Sequence, residues 1–498
     1  MKRPRIEVDL PELDRLLDEA CQAPLSETDS AKIKNALHTL AGVLTAQRSS
    51  EKTREVVSAA EALLPKSQSE SAGGHGRAAA SAFEGARKVA VAHPELKHKD
   101  RCPDCGSGNV YHQKEPKPLV RIVGQAPLQA TVYELERLRC GACGQIFVAP
   151  EPEGVGPEKF DETAGAMIAQ LKYASGVPFA RIEQLEKRLG IPLPASTQWE
   201  VVEEVAELAK PAGEELIRQA AGGEVLHNDD TGMRVLKLER PPGDERTGVF
   251  TSGVVSVGQG RRVALYFTGR EHAGENLAQV LRHRAAGLAA PLQMCDALSR
   301  NTPKLGEGVN ILVGNCLAHG RRQFVEVAGS FPTECRRVLE TLGVVYANDA
   351  EARRDLLSPA DRLLFHQQRS GPLLEGMRKW FEEQFARRKV EENSGLGKAM
   401  QYFLRHWKGL TVFLREPGAP LDNNLCERAL KRAVLHRKNA LFYRTLHGAE
   451  VGDLFMSLVH TCELNGVNSF HYLVALQRNA AALAASPADW MPWNYPKI

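Results

Sequence analysis

From residue 221 onward the apolar pattern changes from helical spacing to short alternating runs, and the order of those runs leaves few folds open. "GGEVLHNDDTGMRVL" reads as a strand, "GVFTSGVVSV" and "RRVALYFTG" as a hairpin pair, "GENLAQVLRHRA" as a helix, and "PLQMCDALSRN" as a fourth strand. "NILVGNCLAHGRRQF" adds a fifth strand that runs into a further helix. Three strands in a meander, followed by strands and helices in alternation, predict a mixed sheet covered by helices. Polar side chains at strand ends are the groups such a sheet exposes for chemistry.

Two of these strands end in acids. With a period of 2, Val225, His227 and Asp229 share one face of the first strand and Asp230 points the other way, while Leu292, Met294 and Asp296 share a face of the fourth. One aspartate from each strand can therefore converge on a hard divalent cation, which takes oxygen ligands. A third carboxylate would let a pair of ions clamp a phosphodiester. Glu427, in "LDNNLCERALKRAVLHRKNALF", is the candidate, a lone acid among Arg428, Lys431, Arg432, Arg437 and Lys438. Plainer readings stand beside this one. Asp230 before Thr231 and Gly232 reads as a turn, Asn424 to Glu427 has the spacing of a variant capping box, and Glu427 with Lys431 is an i, i+4 pair.

The chain of 498 residues, 43% hydrophobic and 25% charged, is long enough for several domains. Its net charge of +3 is too near zero to argue for nucleic acid, so clustering must carry that argument. No stretch approaches the roughly 20 apolar residues of a membrane span, and a cytoplasmic protein is expected. Of the ten cysteines, Cys102, Cys105, Cys140 and Cys143 form two Cys-x-x-Cys knuckles joined by a segment of strand character, "LVRIV" and "ATVYELERLRC". That spacing predicts one structural zinc ion in a four-sulfur site. Cys21, Cys295, Cys335, Cys426 and Cys462 read as core residues. Cys316 and His319 have ligand spacing but do not complete a zinc site by themselves.

Residues 8 to 64 have helical periodicity and "SQSESAGGHGRAAASAFEG" reads as a linker. "FARIEQLEKRLGIPLPASTQWEVVEEVAELA" reads as two helices around a turn, the second capped at Ser196 or Thr197. Either a DNA-reading helix-turn-helix or two packed connecting helices fits, and Glu200, Glu203, Glu204 and Glu207 would face phosphates badly. Residues between Asp296 and Glu427 are mostly helical, and "WMPWNYPKI" carries Trp490 and Trp493 that are expected to dock on the body or on a partner.

The stretches "LHNDDTGMRVL", "YFTGREHAGENLAQVL", "QMCDALSRN", "NCLAHGRRQF", "LDNNLCERALKRAVLHRKNALF" and "SLVHTCELNGVNSFHYL", in this order, resemble bacterial transposases of the insertion sequence 66 family from about residue 100 to the end. The resemblance implies a multi-domain α/β protein. Its ribonuclease H-like mixed sheet would carry helices on both faces and an all-helical insertion, alongside an N-terminal helical region and a zinc ribbon. It assigns Asp229, Asp296 and Glu427 as ligands of two magnesium or manganese ions. The family usually has Asp-Glu-Thr in the first motif, where this chain has Asp229, Asp230 and Thr231. The implied activity is metal-dependent cleavage of a 3′ end and strand transfer, on transposon ends and target DNA. Expected partners are DNA, further copies of the chain and accessory proteins of the same element, in the cytoplasm at the nucleoid. His319, Arg321, Arg322, Lys431, Arg432, Arg437, Lys438 and Asn439 are the expected DNA contacts. An inactive zinc-ribbon DNA-binding derivative, or a nuclease of the same fold without strand transfer, would carry the same residues.

The implied division runs 1–66 helical, 67–100 linker, 101–150 zinc ribbon and 151–220 helical. The catalytic core follows in two parts, 221–330 and 416–475, around a helical insertion at 331–415, with a tail at 476–498.

Overall fold

The computed structural model describes residues 89–495 apart from 106, 114–118, 120–125, 141–142, 144, 156–157, 240–245 and 307–309. The N-terminal helical region, most of the linker and Cys21 lie outside the described residues. Two units separate, residues 64–127 and the remainder. In the smaller unit the first knuckle is a tight turn: Arg101 bridges Asn109, and the Cys102 N–H donates to the Gly108 carbonyl at 2.8 Å. In the larger unit, strands β1 (Arg137–Arg139) and β2 (Ile146–Val148) pair antiparallel around the second knuckle. There the Cys140 N–H donates to the Gln145 carbonyl at 2.9 Å. Of the strand expected over "ATVYELERLRC", only Arg137–Arg139 forms.

Helices α1 (Glu162–Ala169), α2 (Phe179–Arg188) and α3 (Ala195–Ala221) precede the sheet. The second helix begins after Pro194 with no side-chain cap, so Ser196 and Thr197 lie inside it, a correction to the expected start. Val202, Val205, Ala206, Ala209, Ala212 and Leu216 recur at helical spacing and are buried in the main core. A helix of 27 residues sunk along one side in this way is a spine of the domain. Glu200, Glu204 and Glu207 occupy its exposed side.

The sheet has five strands: β3 (Val225–Gly232), β5 (Phe250–Gly258), β6 (Arg261–Gly269), β7 (Leu292–Cys295) and β8 (Leu312–Asn315). Their order is β6-β5-β3-β7-β8, with β5 antiparallel to its neighbours and β3, β7 and β8 parallel. The segment after Gly232 forms a separate short strand, β4 (Val235–Lys237), paired parallel with β9 (Tyr443–Thr445). One face of the sheet meets α3 and α4 (Ala273–Leu281): Ser256 donates to the Ala220 carbonyl at 2.7 Å and Asn276 donates to Ser252 at 2.9 Å.

Helices α5 (Leu317–Val327), α6 (Pro332–Arg354), α7 (Pro359–Arg369), α8 (Gly371–Ala386) and α9 (Gly395–Arg405) follow β8. They build a second core in which Leu339, Leu374, Phe381 and Phe403 pack with Leu292 and Met294 of β7. Inside it Asp349 is buried against Arg362 (2.6 Å) and His366 (3.2 Å), with Arg353 also paired to it. Burial pushes its carboxyl up, but His366 and Arg362 outweigh burial and hold it at about 2, below the ordinary 3.8. The network stabilises the fold fully above the unfolded value and is lost as pH falls through about 2. Arg362→Ala is expected to destabilise the chain by roughly 3 kcal/mol at neutral pH, because one partner of a buried pair is removed. Thermal unfolding checks this, and the gap from the parent should narrow toward pH 2.

The other face of the sheet is covered by α10 (Asn424–Ala440) and α11 (Leu446–Leu464). Thr461, Ser457 and Asp453, four residues apart on α11, accept the N–H groups of Ala264, Tyr266 and Thr268 on the edge strand β6. The edge is thereby closed to another strand. Gly253 on β5 lets α10 approach closely, since a Cβ there would lie 3.1 Å from Leu430 and 3.3 Å from the Cys426 sulfur. Helix α12 (Ser469–Arg478) and the C-terminal segment complete the main core. Trp490 and Trp493 dock there, with the Tyr472 hydroxyl donating to the Trp490 carbonyl at 2.8 Å and Arg261 5.0 Å from the Trp493 ring. Cys295, Cys316, Cys335, Cys426 and Cys462 are fully buried.

Candidate functional site

Asp229 lies within β3, beside Gly253 in the register, and Asp296 follows the last residue of the neighbouring parallel strand β7. The two carboxylates meet at one amide. The Asn301 Nδ2 group donates to Asp296 Oδ1 at 2.5 Å and to Asp229 Oδ1 at 3.2 Å, which uses both of its hydrogens. The Asp230 N–H adds a 2.8 Å bond to Asp229, and the Leu298 N–H one of 3.2 Å to Asp296. Asn301 is itself held by its carbonyl, which accepts from Asn228 at 2.8 Å and from Gln293 at 2.6 Å. Burial, then the nearby charge of Asp296, raises the Asp229 carboxyl to about 7, against the lowering effect of Asn301 and the Asp230 N–H. This residue therefore costs stability as pH rises from 3.8 through about 7, a cost that a cation between the two acids would offset.

Asp230 takes the opposite side of the strand. Its carboxylate is nearly inaccessible, 2.8 Å from His272 Nδ1 at the start of α4 and 3.3 Å from Arg300. An acid so paired is a structural anchor, and the turn expected at Asp230-Thr231-Gly232 is instead continuous strand. Asn423 pins the start of α10: its amide donates to the Asn228 carbonyl at 3.0 Å, and its backbone N–H donates to Cys316 Sγ at 3.2 Å. Its side-chain oxygen, the acceptor end of the amide, lies 3.1 Å from His227 Nδ1 and accepts a hydrogen bond from it. Burial holds His227 neutral, near 4.

Helix α10 thus starts at Asn424 with Asn423 outside it, and the expected capping box is corrected: neither asparagine caps through its side chain, and Asn424 binds Asp422 at 2.8 Å. Glu427 lies one residue after Cys426, whose thiol donates to the Gly253 carbonyl at 3.3 Å. Its ion-pair neighbour is His319 Nδ1 at 3.6 Å, where Lys431 was expected. Asp229 and Asp296 are brought together directly, while Glu427 is placed beside His319 and Cys316.

The expected DNA contacts divide. Arg432 pairs with Glu463, Arg437 bonds Thr231 at 3.0 Å and the Gly232 carbonyl, and Asn439 donates to the Gly176 carbonyl at 3.0 Å. These three contacts fasten α10 to the body. Lys431 and Lys438 are exposed, and His319, Arg321 and Arg322 are half-buried along α5. At the first knuckle, the Ser107 hydroxyl and the N–H groups of Gly108 and Ser107 lower the Cys105 thiol to about 6, which suits a metal thiolate. Asn301 and Asn423 were not singled out from sequence. Their only signal was a position within "DALSRN" and "LDNN", which spacing does not distinguish from loop polarity.

The α/β sheet presents two neighbouring carboxylates, Asp229 and Asp296, beneath a covering helix. A family model described as "Transposase IS66 family" matches residues 159–451, and the chain belongs to that family of transposases. It is 26% identical over 415 residues to the uncharacterized protein y4jD of Sinorhizobium fredii, covering 80% of this chain and 79% of that one. It is also 24% identical over 412 residues to the uncharacterized protein y4hP of the same organism, covering 79% and 73%. Among the described residues no helix is long and apolar enough to cross a membrane.

Proposed function

We propose that the chain cleaves the 3′ ends of an insertion sequence and joins them to target DNA, with Asp229, Asp296 and Glu427 holding two magnesium or manganese ions. The observation that carries this reading is the pair Asp229 and Asp296, from neighbouring parallel strands, sharing one buried amide on a sheet whose covering helix bears Glu427. The oxygen-only donors of the two aspartates, and the charge repulsion between them, fit hard cations. When bound, such ions supply charge stabilisation for the attacking and leaving oxygens of an in-line displacement. Asn301 orients both carboxylates, and Asn423 and Gly253 set the approach of α10. Lys431 and Lys438 on that helix, with Arg321, Arg322 and His319 on α5, are the proposed contacts to DNA phosphates. The sheet order supports a ribonuclease H-like core, and helices Pro332–Arg354 to Gly395–Arg405 support an insertion before its last helix. One structural zinc ion rests on the knuckle spacing, and self-association and accessory proteins of the element belong to the same reading.

The test is purified protein with magnesium and duplexes that end in the terminal repeats of its own element. Nicked 3′ ends and joined products are expected, both abolished by chelation. Binding without cleavage in magnesium or manganese would favour the inactive derivative, and cleavage without joined products the nuclease.

A pH dependence follows from Asp229. Below about 7 its carboxyl carries a proton that a divalent ion must displace, so magnesium affinity is expected to rise about tenfold per pH unit and level off above that value. Calorimetric titration of the parent and of Asp229→Asn, in which the slope should vanish, checks the assignment.

A further inference from the structure

Cys316, His319 and Glu427 bring a sulfur, a ring nitrogen and a carboxylate oxygen within 4.8 Å of one another. The arrangement is built from three places: Cys316 follows β8 directly and precedes α5, His319 lies in the first turn of α5, and Glu427 lies in the first turn of α10. His319 Nδ1 and Glu427 Oε1 face each other at 3.6 Å, too long for a hydrogen bond. Both atoms are buried and without a hydrogen-bond partner among the described residues. Two facing polar atoms left unpaired in the interior are costly unless something between them accepts both lone pairs. Their separation is close to that of two ligands on one tetrahedral ion. Burial pushes the Cys316 thiol up to about 12, against the lowering effect of the Asn423 N–H, which points at Sγ from 3.2 Å, and of the His319 N–H at the helix start. Backbone donors of this kind satisfy the charge of a metal-bound thiolate.

A sulfur, an imidazole and a carboxylate, with a fourth position open, form a donor set for zinc, cobalt or cadmium, whereas magnesium avoids sulfur. We propose that Cys316, His319 and Glu427 bind one thiophilic divalent cation, and that its binding withdraws Glu427 from the magnesium pair, making the site an inhibitory one. Binding sends the Cys316 proton to solvent. The binding claim stands on these three residues, while its inhibitory consequence rests on the function proposed above.

The test uses the full chain and cobalt(II) as the probe. The parent should bind one more cobalt ion than Cys316→Ala, with loss of the matching sulfur-to-cobalt charge-transfer band; His319→Ala, at a half-buried position, should show the same loss. Equal cobalt stoichiometry in the parent and both variants would overturn the site. In a second arm, zinc added to magnesium-supported cleavage should inhibit the parent at concentrations about tenfold or more below those needed for Cys316→Ala. Equal zinc sensitivity, with the extra cobalt ion confirmed, would remove the inhibitory role alone. Absence of magnesium-supported cleavage in the parent would count against the proposed function and leave the cobalt count to decide the site.

Discussion

Asp296→Asn is expected to lower magnesium-supported cleavage and joining by roughly a thousandfold or more, with binding to transposon ends retained. The size follows from what the substitution removes. Asn keeps the shape and the hydrogen bond to Leu298 but loses the charge that, with Asp229, would fix an ion, and several kcal/mol of transition-state stabilisation go with it. Loss of the repulsion between the two acids should also return the Asp229 carboxyl toward its ordinary range, so the variant should be no less stable than the parent at pH 8. Gel-resolved product formation, band-shift binding and thermal unfolding on one preparation separate these effects. Strong cleavage by the variant would refute the assignment.

Glu427→Gln should be as damaging to joining and almost silent in stability, within about 0.5 kcal/mol. Its side chain is partly exposed and its ion-pair neighbour His319 lies at 3.6 Å, so little folding energy depends on it. The start of α10 is held instead by Asn423 and by Cys426 on Gly253. A purely structural glutamate predicts the reverse pattern, a lower unfolding temperature with joining intact. Measuring both quantities therefore decides between an acid kept for chemistry and one kept for the helix.

The five main strands and the helices around them were legible because each buries one periodic set of apolar side chains, and that period is written locally. Val202, Val205 and Ala209 of α3 announce their helix through spacing alone, while β5 reads as a strand from a short apolar run that is buried on both faces. Less legible were features settled by partners far away in the chain. The pairing of β4 with β9 joins residues 235–237 to 443–445, and no local pattern marks it. The basic run after Glu427 read as a phosphate-binding face, yet Arg432 and Arg437 face Glu463 and Thr231 once the helix is laid on the sheet. Strand parity set Asp229 and Asp230 on opposite sides. Only the packing showed that Asp230 is engaged by His272 and Arg300.

The sequence by itself determined the alternation of strands and helices, the burial of Cys295, Cys335, Cys426 and Cys462 and the order of the family motifs, since periodicity and composition are properties of contiguous residues. The tertiary structure decided which polar groups meet. Asn301 joins Asp229 to Asp296, Asn423 ties α10 to both β3 and Cys316, and Glu427 comes to rest against His319. These contacts link residues from 5 to 196 positions apart. A hydrogen bond depends on distances of a few tenths of an ångström, and only a packed core holds atoms from distant segments to that tolerance.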